Sequence, residues 1–225
     1  MIIGKGLIGG KFDIYKDDDA ILIFASGVSN SNEISSVEFK REESLLIDSL
    51  NKFKNKKLIY FSTCSMNDTY SEIKPYTNHK LNMEDIIKKY SKNYIICRLP
   101  QVIGKNNKYQ LMGYLHSTIK KNEKFNLYNI ERNIIDVDDV KLVVMYIIKH
   151  SIFTNKIINI ANPINTKVID LVKKIENIYN YKAKYNVIQM DGELKIDISD
   201  IKPIIDELNL FEEKYIENKI RKYYG

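Results

Sequence analysis

Short apolar runs alternate with longer amphipathic segments along this 225-residue chain. The apolar runs are continuous and β-branched, as is typical of strands buried on both faces, at residues 1–3, 20–24, 57–61, 93–99, 133–137 and 156–161. Apolar residues at helical spacing predict helices at residues 35–53, 76–91, 109–121, 137–151 and 166–180. Strand–helix alternation predicts an α/β fold, a doubly wound parallel sheet with helices on both faces.

Composition narrows the class of protein. The hydrophobic fraction of 44% argues against disorder, and the length suits one large domain or a main domain with a smaller lobe. We expect no membrane partner and no signal peptide, because the apolar runs are short and the N-terminus is broken by glycines.

Cys64 and Cys97 stand far apart, as reduced thiols of a cytoplasmic protein would. The histidines do not cluster, so we expect no metal site.

The net charge of +6 comes from lysines spread along the chain rather than gathered in a patch. Nucleic-acid binding predicts a clustered basic face with interleaved aromatic residues, so we do not expect a nucleic-acid partner. A mildly positive protein still favours an anionic substrate such as a nucleotide.

Three glycines open the chain at the spacing of a dinucleotide-binding turn. Gly4, Gly6 and Gly9 follow a short apolar run and precede a segment that can start a helix. In such a turn the first glycine allows the tight bend, the second lets the backbone approach a pyrophosphate, and the third lets helix and strand pack closely. The anion would lie at the helix N-terminus. An ordinary glycine-rich turn is the alternative.

The second half of a dinucleotide site is missing from the sequence. An acid that ends a second strand, about twenty residues on, would hold the adenosine ribose. Residues 17–19 are aspartates, but they come too early and precede a strand. We therefore expect residues 11–27 to run from the end of a first helix directly into a strand, without the units that hold the adenosine half.

A proton-transfer set follows the third predicted strand. That strand ends near Thr63, and Tyr76 and Lys80 stand four residues apart on one face of the next predicted helix. A tyrosine is a weak base at neutral pH, and a nearby ammonium lowers its pKa toward the working range. Thr63 would orient a substrate oxygen by a hydrogen bond. Chance is the alternative, because the chain holds sixteen tyrosines.

These stretches, in this order, resemble the extended short-chain dehydrogenases/reductases of the nucleotide-sugar epimerase/dehydratase/reductase branch. The resemblance rests on GKGLIGG, DDAILIFASG, FSTCSM with YTNHK, ICRLPQVIGKNN, ERNIIDVDDVKLVV and IINIANPINTKVIDLVKKI, which span nearly the whole chain. It implies a Rossmann-like sheet, shortened by loss of the second strand region, with a small C-terminal α/β substrate lobe. The implied cofactor-binding domain covers residues 1–105, with a returning piece near 133–161, and residues 106–225 form most of the lobe.

The resemblance also implies roles for single residues. Thr63 would bind the reacting sugar oxygen, Tyr76 would be the general acid/base, and Lys80 would lower its pKa and bind the nicotinamide ribose. Arg132 would reach the substrate diphosphate, which suits a guanidinium, although a surface role is an equal alternative. The other implied cofactor-binding residues are Gly4, Gly6, Leu7, Ile8, Gly9, Ala25, Ser26, Gly27, Pro100 and Val102. The helices at 35–53 and 76–91 would pair with their copies in a homodimer.

Departures from the family pattern bear on the reaction. Cys64 and Ser65 stand where dehydratases of this branch carry Asp-Glu, which argues against dehydration. The expectation is an NAD(P)-dependent 4-ketoreductase acting on a nucleotide-diphosphate ketosugar for surface polysaccharides, with the cofactor species open. Alternatives are a nucleotide-sugar epimerase, a redox-free proton shuffle, and a catalytically silent binding partner.

Overall fold

The computed structural model describes residues 1–105 and 110–224. Its strands are β1 (Ile2–Ile3), β2 (Ile21–Phe24), β3 (Lys57–Thr63), β4 (Tyr94–Leu99), β5 (Gln101–Ile103), β6 (Lys124–Asn129), β7 (Glu131–Arg132), β8 (Ile134–Asp136), β9 (Lys156–Asn159), β10 (Thr166–Lys167) and β11 (Lys184–Gln189). Its α-helices are α1 (Ser36–Lys52), α2 (Pro75–Tyr90), α3 (Leu111–Lys120), α4 (Val137–Lys149), α5 (Val168–Tyr179), α6 (Lys202–Glu207) and α7 (Tyr215–Tyr224). Every strand and helix that the sequence predicts with bounds overlaps one of these. Residue 109, where one predicted helix begins, lies outside the described residues.

A five-stranded parallel sheet forms the centre of the fold, in the order β1-β2-β3-β4-β9. Successive residues of a strand point to opposite faces, so a strand that is apolar throughout needs cover on both sides. Ile23 of β2 packs into the core with α4, whereas its neighbour Leu22 packs into the core with α1 and α2. The predicted α/β class with a Rossmann-like parallel sheet is confirmed.

The connection from β1 to β2 differs from the prediction. Instead of a first helix, the structure has two separate turns of 3-10 helix, Gly9–Lys11 and Asp13–Tyr15. Phe12 and Tyr15 fix this short connection by burying their rings in the main core. Within the described residues, β1 pairs only with β2 and so ends the sheet. The strands that would carry an adenosine pocket beyond β1 are thus absent from this sheet.

A second hydrophobic core lies beside the main sheet. In this core, apolar residues of α3, α5 and α7 pack around the parallel strands β6 and β11. The sequence analysis predicts neither α7 nor this pair of strands. α7 is joined to the start of α4 by polar contacts: the hydroxyl of Tyr215 donates to Asp139, 2.6 Å away, and Lys219 pairs with Asp136 at 2.8 Å. The domain boundaries given above stay a prediction.

No helix among the described residues is long and apolar enough to cross a membrane.

Candidate active site

Thr63 and Tyr76 meet at the carboxyl end of β3. Thr63 is the last residue of that strand, and Tyr76 lies in the first turn of α2, which Pro75 opens at a position that needs no backbone N–H. Both side chains are buried, at 6% and 8% exposure. Burial raises the pKa of Tyr76 to about 12, against the opposing effect of a hydrogen bond with Thr63. Tyr76 is therefore a phenol, and a proton donor, at neutral pH.

Ser65 adds a second hydroxyl beside Thr63. Its Oγ lies 2.8 Å from the Oγ1 of Thr63, and its backbone N–H donates to the same oxygen at 3.1 Å. These two contacts hold the Thr63 hydroxyl at the end of β3. Thr63 can thus bind a substrate oxygen without first being ordered.

Lys80 lies one turn after Tyr76 on α2, but its ammonium turns to other partners. Its Nζ donates to the Oε1 of Glu42 at 2.9 Å and to the hydroxyl of Tyr60 at 3.2 Å. It lies 6.0 Å from the centre of the Tyr76 ring. The prediction that Lys80 lowers the pKa of Tyr76 is wrong for this structure, because burial dominates that pKa and Glu42 holds the ammonium.

Glu42 is the centre of a buried polar cluster that the sequence analysis missed. Its carboxylate is fully buried and accepts hydrogen bonds from Tyr60 at 2.6 Å and Lys80 at 2.9 Å. It also contacts the Nε2 of His79 at 2.9 Å and accepts from the backbone N–H of Val28 at 2.7 Å. The pKa of Glu42 falls to about 2, because these partners outweigh the opposing effect of burial.

A signal for Glu42 is present in the sequence. Leu46 and Leu50, one and two turns later on α1, are buried on the same face. A glutamate in line with an apolar stripe must find buried partners or pay a large desolvation cost.

The glycine turn has the close packing that the spacing predicts. Gly4 has a φ of +110°, and a Cβ there would clash with the backbone of Ala25 at the end of β2. A Cβ on Gly9 would clash with the carbonyl of Gly4, whereas one on Gly6 would meet no atom within 4 Å. The first and third glycines therefore hold the turn together, and the second leaves open surface where a pyrophosphate could approach.

The predicted helix beneath this turn is reduced to the 3-10 turn Gly9–Lys11. The fit to a dinucleotide thus rests on the glycine backbone rather than on a helix dipole. Leu7 and Ile8 are half-buried and pack against the main core.

The end of β2 covers Lys80. Ala25, Ser26 and Gly27 are half-buried, and a Cβ placed on Gly27 would lie 2.5 Å from the Nζ of Lys80. Only glycine leaves room for the ammonium at this point. The predicted cofactor bed and Lys80 are therefore in direct contact.

Pro100 and Val102 lie beyond the end of β4. Pro100 is half-buried between β4 and β5, and Val102, in β5, packs into the main core at 7% exposure. Of the two, Pro100 is the one that has surface to offer a ligand.

Arg132 already has a carboxylate partner. Its Nη1 lies 3.1 Å from Asp68, in the segment between Thr63 and Tyr76, and donates to the backbone of Glu131 at 2.9 Å. Burial lowers the pKa of Arg132 and Asp68 raises it, but an arginine stays charged in either case. The pair joins the loop that follows Thr63 to the second core.

Comparison with known proteins agrees with this geometry. A model of the NAD dependent epimerase/dehydratase family matches residues 19–161, well over half of the chain. The chain belongs to this family. The resemblance to nucleotide-sugar epimerases, dehydratases and reductases is therefore confirmed. The members of this family are NAD-dependent enzymes. The match begins after the glycine turn, so that turn is supported by its geometry alone. No curated protein matches the chain.

Solved structures share the fold at low identity. Thermus thermophilus UDP-glucose 4-epimerase, in complex with NAD, is 13% identical with a TM-score of 0.71, covering 96% of this chain and 81% of its own. Bacillus cereus UDP-glucuronic acid 4-epimerase, with UDP-glucuronic acid and NAD, is 16% identical with a TM-score of 0.72, covering 94% and 76%. Bacillus anthracis dTDP-glucose 4,6-dehydratase, with NAD, is 14% identical with a TM-score of 0.70, covering 94% and 75%. These likenesses establish the fold.

Three or more His, Cys, Asp or Glu side chains do not gather into a possible metal site anywhere in residues 1–105 and 110–224.

Proposed function

We propose that this protein is an NAD(P)-dependent 4-ketoreductase that acts on a nucleotide-diphosphate ketosugar for surface polysaccharides. The observation that carries the proposal is the buried Thr63–Tyr76 pair, with Tyr76 kept protonated. Reduction of a ketone needs a proton donor for the carbonyl oxygen, and a phenol of high pKa arrives in the required form. The family supports an enzyme of nicotinamide chemistry.

Each residue has a defined part in this proposal. Thr63 binds and orients the sugar carbonyl oxygen, and Tyr76 donates its phenolic proton to that oxygen. The glycine turn, with Leu7 and Ile8, holds the pyrophosphate, Lys80 and the end of β2 lie against the nicotinamide ribose, and Pro100 and Val102 lie toward the nicotinamide. When bound, the nicotinamide supplies the hydride that the sugar carbon receives.

The substrate assignment follows from charge. Arg132 is the candidate ligand for the diphosphate, since a guanidinium matches phosphate oxygens.

Cys64, next to Thr63, is buried, and burial raises its pKa to about 12, so it offers no acidic group for loss of water. This supports a reductase over a dehydratase.

A nucleotide-sugar 4-epimerase is the second candidate. Two of the three solved structures described above are UDP-sugar 4-epimerases, which favours this reaction. An epimerase keeps its cofactor and returns the hydride to the opposite face. A shortened adenosine side suits a cofactor that exchanges in every turnover, and for that reason we place the reductase first.

We also propose a cytoplasmic homodimer in which α1 and α2 pair with their copies. This pairing is the one that the family resemblance implies. Light scattering at working concentration tests this, and a monomeric mass would contradict it.

The function is tested by titrating the protein with NADH and NADPH while following nicotinamide fluorescence. Saturable binding, followed by oxidation of the reduced cofactor when a 4-ketosugar nucleotide is added, supports the reductase. Conversion of a nucleotide sugar to its 4-epimer without net oxidation supports the second candidate. No binding at millimolar cofactor would overturn both, and would leave redox-free sugar chemistry or a binding role.

A further inference from the structure

The buried cluster around Glu42 lies directly below the proposed cofactor bed. Lys80, Tyr60 and Glu42 are at most 3% exposed, and Gly27 covers the ammonium of Lys80 from above. Two of the three N–H donors of Lys80 are used inside the protein, by Glu42 and Tyr60. The ammonium is therefore fixed in position before any ligand arrives.

An ion pair at this depth is costly to maintain. Desolvation of two charges offsets much of their attraction, and a well-packed apolar pair in its place is often as stable. Glu42 adds contacts to Val28, in the loop after β2, and to His79, so the cluster joins β2, α1, β3 and α2. Stability alone does not account well for such an arrangement beside a proposed reaction centre.

We propose that Glu42 is a positioning residue of the candidate active site, which holds the Lys80 ammonium beneath Gly27 and keeps it charged at neutral pH. This rests on the proposed role of Lys80 in the cofactor site. Without Glu42, burial would favour the neutral amine, and a neutral amine does not attract the ribose oxygens by charge.

Other charged and titratable groups face Lys80 from the elements packed around it. From α1 these are Glu42 and Arg41, from β3 Tyr60, and from α2 Tyr76, His79 and Glu84. Burial lowers the pKa of Lys80 below its ordinary value, and Arg41 lowers it further. Glu42 and, more weakly, Glu84 raise this pKa and so offset part of the effect of burial. Glu42 is the one carboxylate in direct contact with the ammonium within the described residues, so its removal should have the largest effect.

Glu42→Gln tests the proposal, with Glu84→Gln as its matched control. Glu84 is also fully buried, but its carboxylate accepts from Ser62 at 2.6 Å and from Arg98 at 2.6 and 2.9 Å. Both variants remove one buried carboxylate and both should lose stability. Only Glu42→Gln should change the protonation of Lys80.

The first readout needs no cofactor: urea unfolding from pH 6 to 8.5. In Glu42→Gln the folded state releases the Lys80 proton while the unfolded state keeps it, so stability rises with pH. The unfolding equilibrium constant of Glu42→Gln, divided by that of the wild type, should fall as the pH rises. The fall should approach about tenfold per pH unit once Lys80 is neutral in the folded state of the variant. Glu84→Gln should stay nearly parallel to the wild type. A Glu42→Gln curve parallel to the wild type overturns the proposal.

The second readout is NADH binding at pH 6 and pH 8.5. Glu42→Gln should bind at least about tenfold more weakly than the wild type at pH 8.5 and less so at pH 6, since one pKa unit corresponds to a tenfold population change. An equal loss of NADH affinity at pH 6 and pH 8.5 indicates a structural role for Glu42 and overturns the proposal. If the wild type binds no NADH, the proposed function fails, while the first readout still decides how Glu42 acts on Lys80.

A direct measurement covers the case in which Glu42→Gln does not fold. The Lys80 side chain of the wild type is titrated by NMR with ¹³Cε-labelled lysine, and Lys80→Arg assigns its signal. A signal that stays that of an ammonium up to pH 8.5 supports the proposal. A midpoint below pH 7.5 overturns it.

Discussion

The Nζ of Lys80 lies 2.9 Å from the Oε1 of Glu42, and both side chains are buried beneath Gly27. Tyr76, on the same face of α2, is consequently left with Thr63 as its hydrogen-bond partner and with burial as the main influence on its pKa. In the proposed mechanism the two tasks are separate: Tyr76 and Thr63 carry the proton chemistry, and Lys80 and Glu42 lie below the cofactor bed.

Tyr76→Phe should leave cofactor binding intact and abolish proton transfer. Loss of a general acid typically costs 10²- to 10⁴-fold in rate, so we expect about that loss in kcat with a 4-ketosugar nucleotide, and an NADH dissociation constant within about twofold of the wild type. Tyr15→Phe, which alters a buried tyrosine of the main core, is the control for folding. Equal activity of Tyr76→Phe and the wild type would remove Tyr76 from the mechanism.

The sequence predicts the fold well, for a physical reason. β2 is apolar throughout because both of its faces are covered, and this pattern is visible without tertiary information. The pair β6 and β11 has no continuous apolar run, and so a search for such runs misses it. Its largely alternating polar and apolar residues are the strand signal that was overlooked.

The candidate site is predicted only in part. Tyr76 and Lys80 follow from spacing, because α2 places them by its own periodicity, and Thr63 follows from its place at the end of the apolar strand β3. Glu42 lies 38 residues before Lys80, on another helix, so the contact depends on how α1 packs against α2. The first helix is predicted but is absent from the structure. The glycine spacing indicates a helix after the turn, but the short connection lets Phe12 and Tyr15 reach the core through 3-10 turns.

The glycine turn should respond differently at two of its positions. Gly9→Ala places a Cβ against the carbonyl of Gly4, and we expect a loss of about 1–3 kcal/mol of unfolding free energy, as for other overpacked sites. Gly6→Ala meets no atom within 4 Å, so its stability should be within about 0.5 kcal/mol of the wild type.

Dinucleotide binding separates the two variants further. The methyl group of Gly6→Ala occupies the surface where the pyrophosphate is proposed to approach, so NADH should bind more weakly despite a normal fold. Urea unfolding and fluorescence titration of both variants check this pair. Full affinity in Gly6→Ala would place the pyrophosphate elsewhere.

Acid should weaken the fold through Glu42. The folded pKa of about 2 lies below the ordinary value of 4.5, so the contribution of Glu42 is fully present above about pH 5 and is lost as the pH falls toward 2. The size of that contribution is on the order of 3 kcal/mol. Unfolding free energies of the wild type and Glu42→Gln, measured from pH 6 to pH 3, should converge as the pH falls. A constant difference would mean that the pKa of Glu42 is the same in the folded and unfolded states.

The ion pair between Asp68 and Arg132 makes a prediction about nucleotide binding. The carboxylate of Asp68 lies 3.1 Å from the Nη1 of Arg132. It therefore competes with a diphosphate for the guanidinium that is proposed to bind it. Asp68→Asn removes the competing charge but keeps the size of the side chain, so UDP should bind more tightly, by several fold for an interaction of about 1 kcal/mol. Arg132→Met should bind UDP more weakly, and in that background Asp68→Asn should have little further effect. Isothermal titration calorimetry of the four proteins gives the coupling between the two residues. Weaker UDP binding in Asp68→Asn would show instead that Asp68 holds Arg132 in its binding position, and unchanged binding in Arg132→Met would remove Arg132 from the substrate site.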